Sequence, residues 1–248
     1  MNTPPAPRWC VLIPCLNEEA AIADVLRSVL ALGVPVIVVD DGSTDRTPDI
    51  VAALPVTLLR HATRQGKGEA LRHGLREALR QGCDAVLTMD GDGQHLAQDI
   101  PRIHAAALAH PGAIVIGARL LDKAQQPKGR RRANAVADWG ISWACAQPVA
   151  DTQSGQRWYP RAALELAGVP PENFVFEAAI LIAACRERGL AVVSVPIASR
   201  YHASLRGSHF KPVRDVYRIT TYTIGRVIHY GHIVRSYLRS RRPPRVLD

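Results

Sequence analysis

The chain has 248 residues, 47% of them hydrophobic, 21% charged and 5% aromatic, with 18 Gly, 18 Pro and a formal net charge of +9. These values exclude disordered, collagen-like and disulfide-scaffold classes and leave enough chain for one large core or two small ones. The charge is concentrated: residues 1–199 carry 20 Lys+Arg against 20 Asp+Glu, and residues 200–248 carry 11 against 2. A nucleic-acid-binding protein would spread basic residues, interleaved with aromatics, over the face that tracks the phosphates. A neutral body with a basic C-terminal segment instead points to a phosphorylated substrate or an anionic membrane surface, with nucleic acid the weakest of the three partners.

Five cysteines, Cys10, Cys15, Cys83, Cys145 and Cys185, are odd in number and contain no CxxC pair. With no signal-peptide pattern at the N-terminus, they are read as reduced thiols of a cytoplasmic protein. Apolar runs such as Ala178 to Cys185 fall short of the ~18–20 residues a membrane span requires, so membrane contact is expected to be peripheral, on the inner face.

Along the chain, short β-branched runs alternate with helical patterns. Cys10 to Ile13, Val34 to Val39, Val56 to Leu59, Asp84 to Met89 and Ala113 to Ile116 read as strands. Glu18 to Leu32, Thr44 to Ala53, Lys67 to Gln81 and Asp99 to Ala109 carry apolar residues at helical spacing. Continuous apolar strands joined by crossover helices predict an α/β fold with a mostly parallel sheet covered on both faces. Beyond Gly117 come a basic stretch from Lys123 to Arg132, a Trp-containing helical segment around Asn134 to Ala146 and a polar loop from Asp151 to Gly155. A helix from Phe176 to Arg188 and a strand from Ala191 to Val195 follow.

In open parallel sheets, ligands bind at the carboxyl ends of the strands. Here those ends carry Pro14 to Glu18, Asp40 to Ser43, Arg64 to Gly68 and Asp90 to His95. Asp90 and Asp92, separated by one glycine, are like charges that repel unless a cation lies between them. Hard oxygen ligands of this sort suit Mg²⁺ or Mn²⁺, with Gln94 as a neutral third oxygen. The plainer alternative is a solvated Asp/Gly turn. Ser43, Thr44 and Asp45 have the chemistry of a helix cap. Gly66-Lys67-Gly68 resembles a phosphate-cradling turn at a helix start but lacks the spacing of a Walker A loop.

Together these motifs resemble the nucleotide-sugar site of family 2 glycosyltransferases of the GT-A fold. The similarity is strongest to polyprenyl-phosphate sugar synthases such as dolichol-phosphate mannose synthase-like enzymes, and it runs from about residue 9 to residue 210. It implies a metal-dependent glycosyltransferase that moves a sugar, with inversion, from a UDP- or GDP-linked donor to a lipid-linked or membrane-associated acceptor. Pro14, Asn17 and Glu18 would lie along the nucleotide, Asp41 at base or ribose, and Asp90 near ribose and metal. Asp92 and Gln94 would hold the metal on the diphosphate, with Lys67 offsetting charge on the leaving group.

The loop Asp151 to Arg157 is similar to the family's acceptor-side segment, with Gln156 in place of the usual aromatic. Asp151 would be the general base for a hydroxyl acceptor and would only position for a phosphate, which needs no base. A further alternative is an Asp that caps a turn through Thr152. Glu177 opens a helix and is implied on the acceptor side, although a carboxylate there also suits the helix dipole. Arg200 and the segment from Arg206 resemble a basic stretch that meets the diphosphate or an acceptor phosphate.

Residues 1–211 thus read as the catalytic domain and 212–248 as a basic amphipathic extension. At ~100° per residue, a helix from Val213 to Arg239 puts Val216, Ile224, Val234 and Leu238 on one arc and the arginines largely opposite. It would lie in the headgroup plane of a membrane or pack on the domain with a solvated basic face. Two other functions fit parts of the pattern. They are a sugar-phosphate nucleotidyltransferase, which would normally show a Gly-rich basic loop after the first strand, and a non-catalytic membrane-binding protein that retains the fold.

Overall fold

The structure, a computed structural model, describes residues 8–121, 128–170, 175–198 and 212–247. Strands β1 (Trp9–Cys15), β2 (Val36–Asp40), β3 (Thr57–Arg60), β4 (Ala85–Thr88) and β5 (Ile114–Ala118) coincide with the predicted apolar runs. β7 (Val192–Pro196) does so as well. β6 (Arg157–Pro160) does not, because Arg-Trp-Tyr-Pro is too short and too polar at its start to carry a strand signal. The sheet order is β3-β2-β1-β4-β6-β5-β7, parallel throughout except for β6, which runs antiparallel to β4 and β5. This single reversal brings the loop before Arg157 to the same edge as the carboxyl ends of β1, β2, β4 and β5.

Alternate strand residues feed two apolar layers, as the period of two requires. Cys10 and Leu12 face one layer with α3 (Lys67–Arg80), α5 (Lys128–Cys145), α6 (Arg161–Leu164) and α7 (Val175–Glu187). Val11 and Ile13 face the other, with α1 (Ile22–Leu30), α2 (Thr47–Ala52) and α4 (Ile100–Ala109). α1 shows the helical stripe, burying Ile22, Val25, Leu26 and Val29. α7 is apolar all round and is buried accordingly from Ala178 to Cys185. All five cysteines are free and buried.

The C-terminal segment forms two helices instead of one, α8 (Pro212–Tyr230) and α9 (Ile233–Ser240). Gly231 and His232 both take positive φ, 64° and 52°, and turn the chain between them. α8 packs on α5 and α7, burying Ile219, Thr223 and Val227. Arg226 pairs with Glu187 at 3.2 Å, and the Trp143 indole donates to the Ile233 carbonyl at 3.0 Å. The chain end then runs beside β7, where Ser194 N–H donates to Arg245 O and Leu247 N–H to Ser194 O. No helix among the described residues is long and apolar enough to cross a membrane.

α3 approaches β1 closely because residue 74 has no side chain: a Cβ there would lie 2.2 Å from a Leu12 methyl. Gly74→Ala is therefore expected to destabilise the fold by about 1–3 kcal/mol despite the better helix propensity of Ala. Urea unfolding of the variant against the parent measures this.

Candidate active site

The loops that follow β1 and β2 are tied to each other by their own polar residues. Asn17 N–H donates to Ser43 Oγ at 2.8 Å, and Thr44 N–H donates to Asn17 Oδ1 at 2.8 Å. Glu18 N–H reaches Thr47 Oγ1 at 2.8 Å, and Arg46 N–H reaches Glu19 Oε2 at 3.2 Å. Asn17 accepts a left-handed conformation (φ 56°), which short Asx side chains tolerate best. Ser43 and Thr44 thus bind the neighbouring loop and leave α2 uncapped by their side chains, whereas Asp45 accepts from the Thr47 N–H at 2.9 Å. Pro14 is buried at the end of β1.

Asp40 and Asp41 close β2 and do different work. Asp40 accepts from Ser43 N–H at 3.1 Å and pairs with Arg60 at 3.2 Å. The buried Asp41 carboxylate accepts from the amides of Gln65 and Gly66, each at 2.8 Å, and meets His61 Nδ1 at 2.8 Å. His61 in turn reaches His73 on α3 at 3.1 Å. Gly66 stands at φ 103°, a conformation open to glycine, and the next residue begins α3. Asp41 is thus turned inward, anchoring the start of the helix that presents Lys67.

Lys67 Nζ lies 2.7 Å from Asp90 Oδ1 and 3.3 Å from Glu177 Oε2. Burial works against its charge, but the two carboxylates outweigh burial and raise its pKa. Burial likewise opposes ionisation of Asp90, yet Lys67 holds that carboxyl at about 2. Asp92 goes the other way, raised first by burial and then by the charge of Asp90. Two carboxylates that disfavour each other, with the Gln94 N–H donating to Asp92 Oδ1 at 3.0 Å, are hard-oxygen donors that suit a divalent cation with substrate phosphates completing its shell. Among the described residues no cluster of three His, Cys, Asp or Glu side chains completes such a shell from protein alone. His95, also buried, has its Nδ1 3.7 Å from Asp90 Oδ2, and neither ring nitrogen makes a hydrogen bond among the described residues.

The 151–157 loop closes this edge. Gly155 sits against Asp90 so tightly that a Cβ would lie 2.3 Å from Oδ2. Asp151 is clasped by Arg119 at the end of β5, which donates from Nε to Oδ2 at 2.8 Å, from Nη2 to Oδ1 at 2.7 Å and from its backbone N–H at 2.8 Å. Burial would raise the Asp151 pKa, but these bonds and the charge of Arg119 lower it. Arg157, fully buried, donates to the carbonyls of Thr152 (2.6 Å), Ser154 (2.7 Å) and Glu177 (3.1 Å). Its guanidinium therefore joins the loop to α7. Thr152 hydrogen-bonds Asp138, and Gln156 is buried with its amide donating to Leu96 O at 3.2 Å.

Of the residues named from sequence, Lys67, Asp90 and Glu177 meet directly, with Asp92 and Gln94 in the same turn and Asp151 across the loop. Pro14, Asn17 and Glu18 stand at the adjacent strand end. Arg200 and Arg206 lie outside the described residues. Arg119 carried no sequence signal, because its partner lies 32 positions away and only the sheet brings them together. His95 and Arg157 were visible within motifs, but nothing local distinguishes a buried His or Arg from an exposed one.

Comparison with known proteins agrees with this geometry. The family model described as "Glycosyl transferase family 2" matches residues 10–165. A UDP-N-acetylglucosamine–dolichyl-phosphate N-acetylglucosaminyltransferase of Methanococcus voltae is 26% identical over 246 residues, covering 88% of this chain and 97% of that protein. A polyprenol monophosphomannose synthase of Mycolicibacterium smegmatis is 29% identical over 207 residues, covering 78% of this chain and 77% of its own. In structure, glucosyl-3-phosphoglycerate synthase of Mycobacterium tuberculosis, crystallised with Mn²⁺, UDP and phosphoglyceric acid, superposes with a TM-score of 0.67. That match is at 22% identity and covers 90% of this chain and 78% of the other. This likeness identifies the GT-A fold.

The Asp151–Arg119 pair yields a stability prediction. Asp151→Asn would remove the carboxylate that the buried Arg119 guanidinium clasps and is expected to cost about 3–5 kcal/mol. Because the folded-state pKa of Asp151 is lowered, its contribution is present above the usual carboxylate range and disappears as pH falls through the folded value. Parent stability should therefore drop on acidification below about pH 4, and the variant should lose part of that slope. Denaturant unfolding at a series of pH values measures both.

Proposed function

The chain belongs to glycosyl transferase family 2, and we propose that it transfers a sugar, with inversion, from a nucleoside-diphosphate sugar to a lipid-linked phosphate acceptor. The observation that carries the donor half is the charge cluster at the strand ends, where Lys67, Asp90 and Asp92 converge beside the loops of β1 and β2. A leaving nucleoside diphosphate gains negative charge as the C1–O bond breaks. Lys67, presented by the N-terminus of α3, is within reach to offset it. Pro14, Asn17 and Glu18 flank the nucleotide in this reading. Asp41 acts at one remove, by holding Gly66 and hence Lys67.

Asp90, Asp92 and Gln94 would hold Mg²⁺ or Mn²⁺, which supplies Lewis-acid neutralisation of the diphosphate. The structural relative crystallised with Mn²⁺ and UDP supports a divalent ion with a uridine nucleotide. For the acceptor, both curated relatives carry a polyprenyl-type name, dolichyl phosphate in one and polyprenol in the other. A phosphate acceptor is already ionised near neutral pH, so its oxygen attacks the anomeric carbon without losing a proton, and the electron pair of the broken bond departs on the diphosphate. The Arg119 clasp supports the same choice, since a carboxylate with a lowered pKa is a weak base. Asp151 then positions Arg119 and the acceptor loop. Glu177, Arg200 and Arg206 are assigned to the acceptor and phosphate side.

Two measurements test this. UDP or GDP with Mn²⁺ or Mg²⁺, at about 100 times the dissociation constant, should stabilise the protein by about 2.7 kcal/mol in thermal unfolding. Asp92→Ala should lose the metal-dependent part of that shift, and an unchanged shift would overturn the metal assignment. In transfer assays with a polyprenyl phosphate, Lys67→Ala should lower kcat by roughly 10²–10³-fold. Activity at the parental rate would remove Lys67 from the donor site.

A further inference from the structure

Both C-terminal helices carry an exposed apolar stripe. On α8 the buried face is Ile219, Thr223 and Val227, while Tyr217, Ile224 and Ile228 form a separate stripe exposed to solvent. At ~100° per residue the outward set falls within one narrow stripe. On α9 the usual pattern is inverted: Ser236 and Ser240 are buried, and Val234 and Leu238 are exposed. These five outward residues are between 54% and 71% exposed. α5 contributes Trp139, also exposed, in ring contact with Trp143, which touches Tyr237 of α9 edge-on.

A helix that buries serines and presents aliphatic side chains to water has its apolar face reserved for something other than its own core. The exposed cations around this face decide what that is. Arg218 borders the stripe on α8, Arg235 and Arg239 lie next to Val234 and Leu238, and Arg241 and Arg242 follow. Residues 200–248 carry 11 basic against 2 acidic side chains. A second copy of this chain docked on the same face would set arginine against arginine. An anionic lipid surface complements both the cations and the apolar stripe.

We propose that this face of α8 and α9, flanked by Trp139, seats the enzyme on an anionic bilayer. Its aliphatic residues would enter the headgroup boundary, and its arginines would meet lipid phosphates. The proposal deepens the lipid-acceptor reading, on which its purpose rests, by fixing which side of the molecule meets the lipid. It contrasts with a solvated basic face, because the apolar residues as well as the arginines are what the membrane takes up.

The test is co-sedimentation of the full chain with phosphatidylcholine vesicles and with vesicles containing phosphatidylglycerol. Two double variants, Ile224→Asp with Ile228→Asp and Val234→Asp with Leu238→Asp, are compared with the parent. All four positions are exposed, so the unfolding midpoint should stay near parental. The parent is expected to bind the anionic vesicles, to bind the neutral ones weakly and to be released by salt. Each variant should bind the anionic vesicles at least tenfold more weakly. Parent that stays in the supernatant, or variants that bind like the parent, would overturn the proposal. So would a parent dimer in light scattering that the variants dissociate without any vesicle binding, since the face would then be a self-interface. Vesicle binding needs neither donor nor acceptor, and the nucleotide-induced thermal shift of the same variants reads the donor site. Failure of the membrane face and failure of the transferase reading are thus told apart.

Discussion

One ammonium group aligns three elements that are far apart in the chain. Lys67 opens α3, Asp90 follows β4 and Glu177 lies in the first turn of α7, and the 2.7 Å and 3.3 Å contacts hold them in one place. The arrangement is anchored on each side by a buried charge. Asp41 takes up the amides of Gln65 and Gly66 and so sets where α3 begins. Arg157 ties the Thr152–Ser154 loop to the Glu177 carbonyl and so sets where α7 begins relative to the sheet. Removing one partner from a buried pair leaves an uncompensated charge that costs several kcal/mol. Such groups therefore fix geometry more firmly than apolar contacts of the same size.

The same cluster sets its two aspartates apart. Asp90 is held ionised at about 2 by Lys67, while Asp92 beside it is pushed toward its neutral form by burial and by Asp90. A divalent cation at that edge would relieve the repulsion, and a diphosphate would give Lys67 an anion to meet in addition to its two carboxylates. Gly155 keeps the loop within reach of Asp90 because any side chain there would occupy the carboxylate's position. The 151–157 loop is held by a different pair, Asp151 and Arg119.

The net charge follows this division. The first 199 residues are neutral overall, with buried carboxylates such as Asp41 and Asp151 holding loops in place. The excess cations belong to residues 200–248, whose helices α8 and α9 pack on the body through Ile219, Thr223, Val227, Ser236 and Ser240 and leave other aliphatic side chains outside. Packing on the body and presenting an apolar stripe, which look like alternatives when α8 and α9 are drawn as one isolated helix, use different faces of the same helices.

Periodicity in the sequence was enough for the strands β1 to β5 and β7 and for the crossover helices, because fully buried parallel strands and amphipathic helices write their burial into local spacing. The strand-end motifs, with the family resemblance they carry, brought Lys67, Asp90, Asp92 and Gln94 forward as donor-site candidates, and the fold places Lys67 and Asp90 in contact. Local spacing does not encode β6, whose four residues become a strand only between two partners. Nor does it encode the Arg119–Asp151 clasp, which requires β5 and the β6 loop to be neighbours, or the inward turn of Asp41. It also drew the basic tail as one helix whose apolar arc could face either way. Tertiary packing decided those points, because a side chain's burial and its partners depend on which distant backbone lies opposite it.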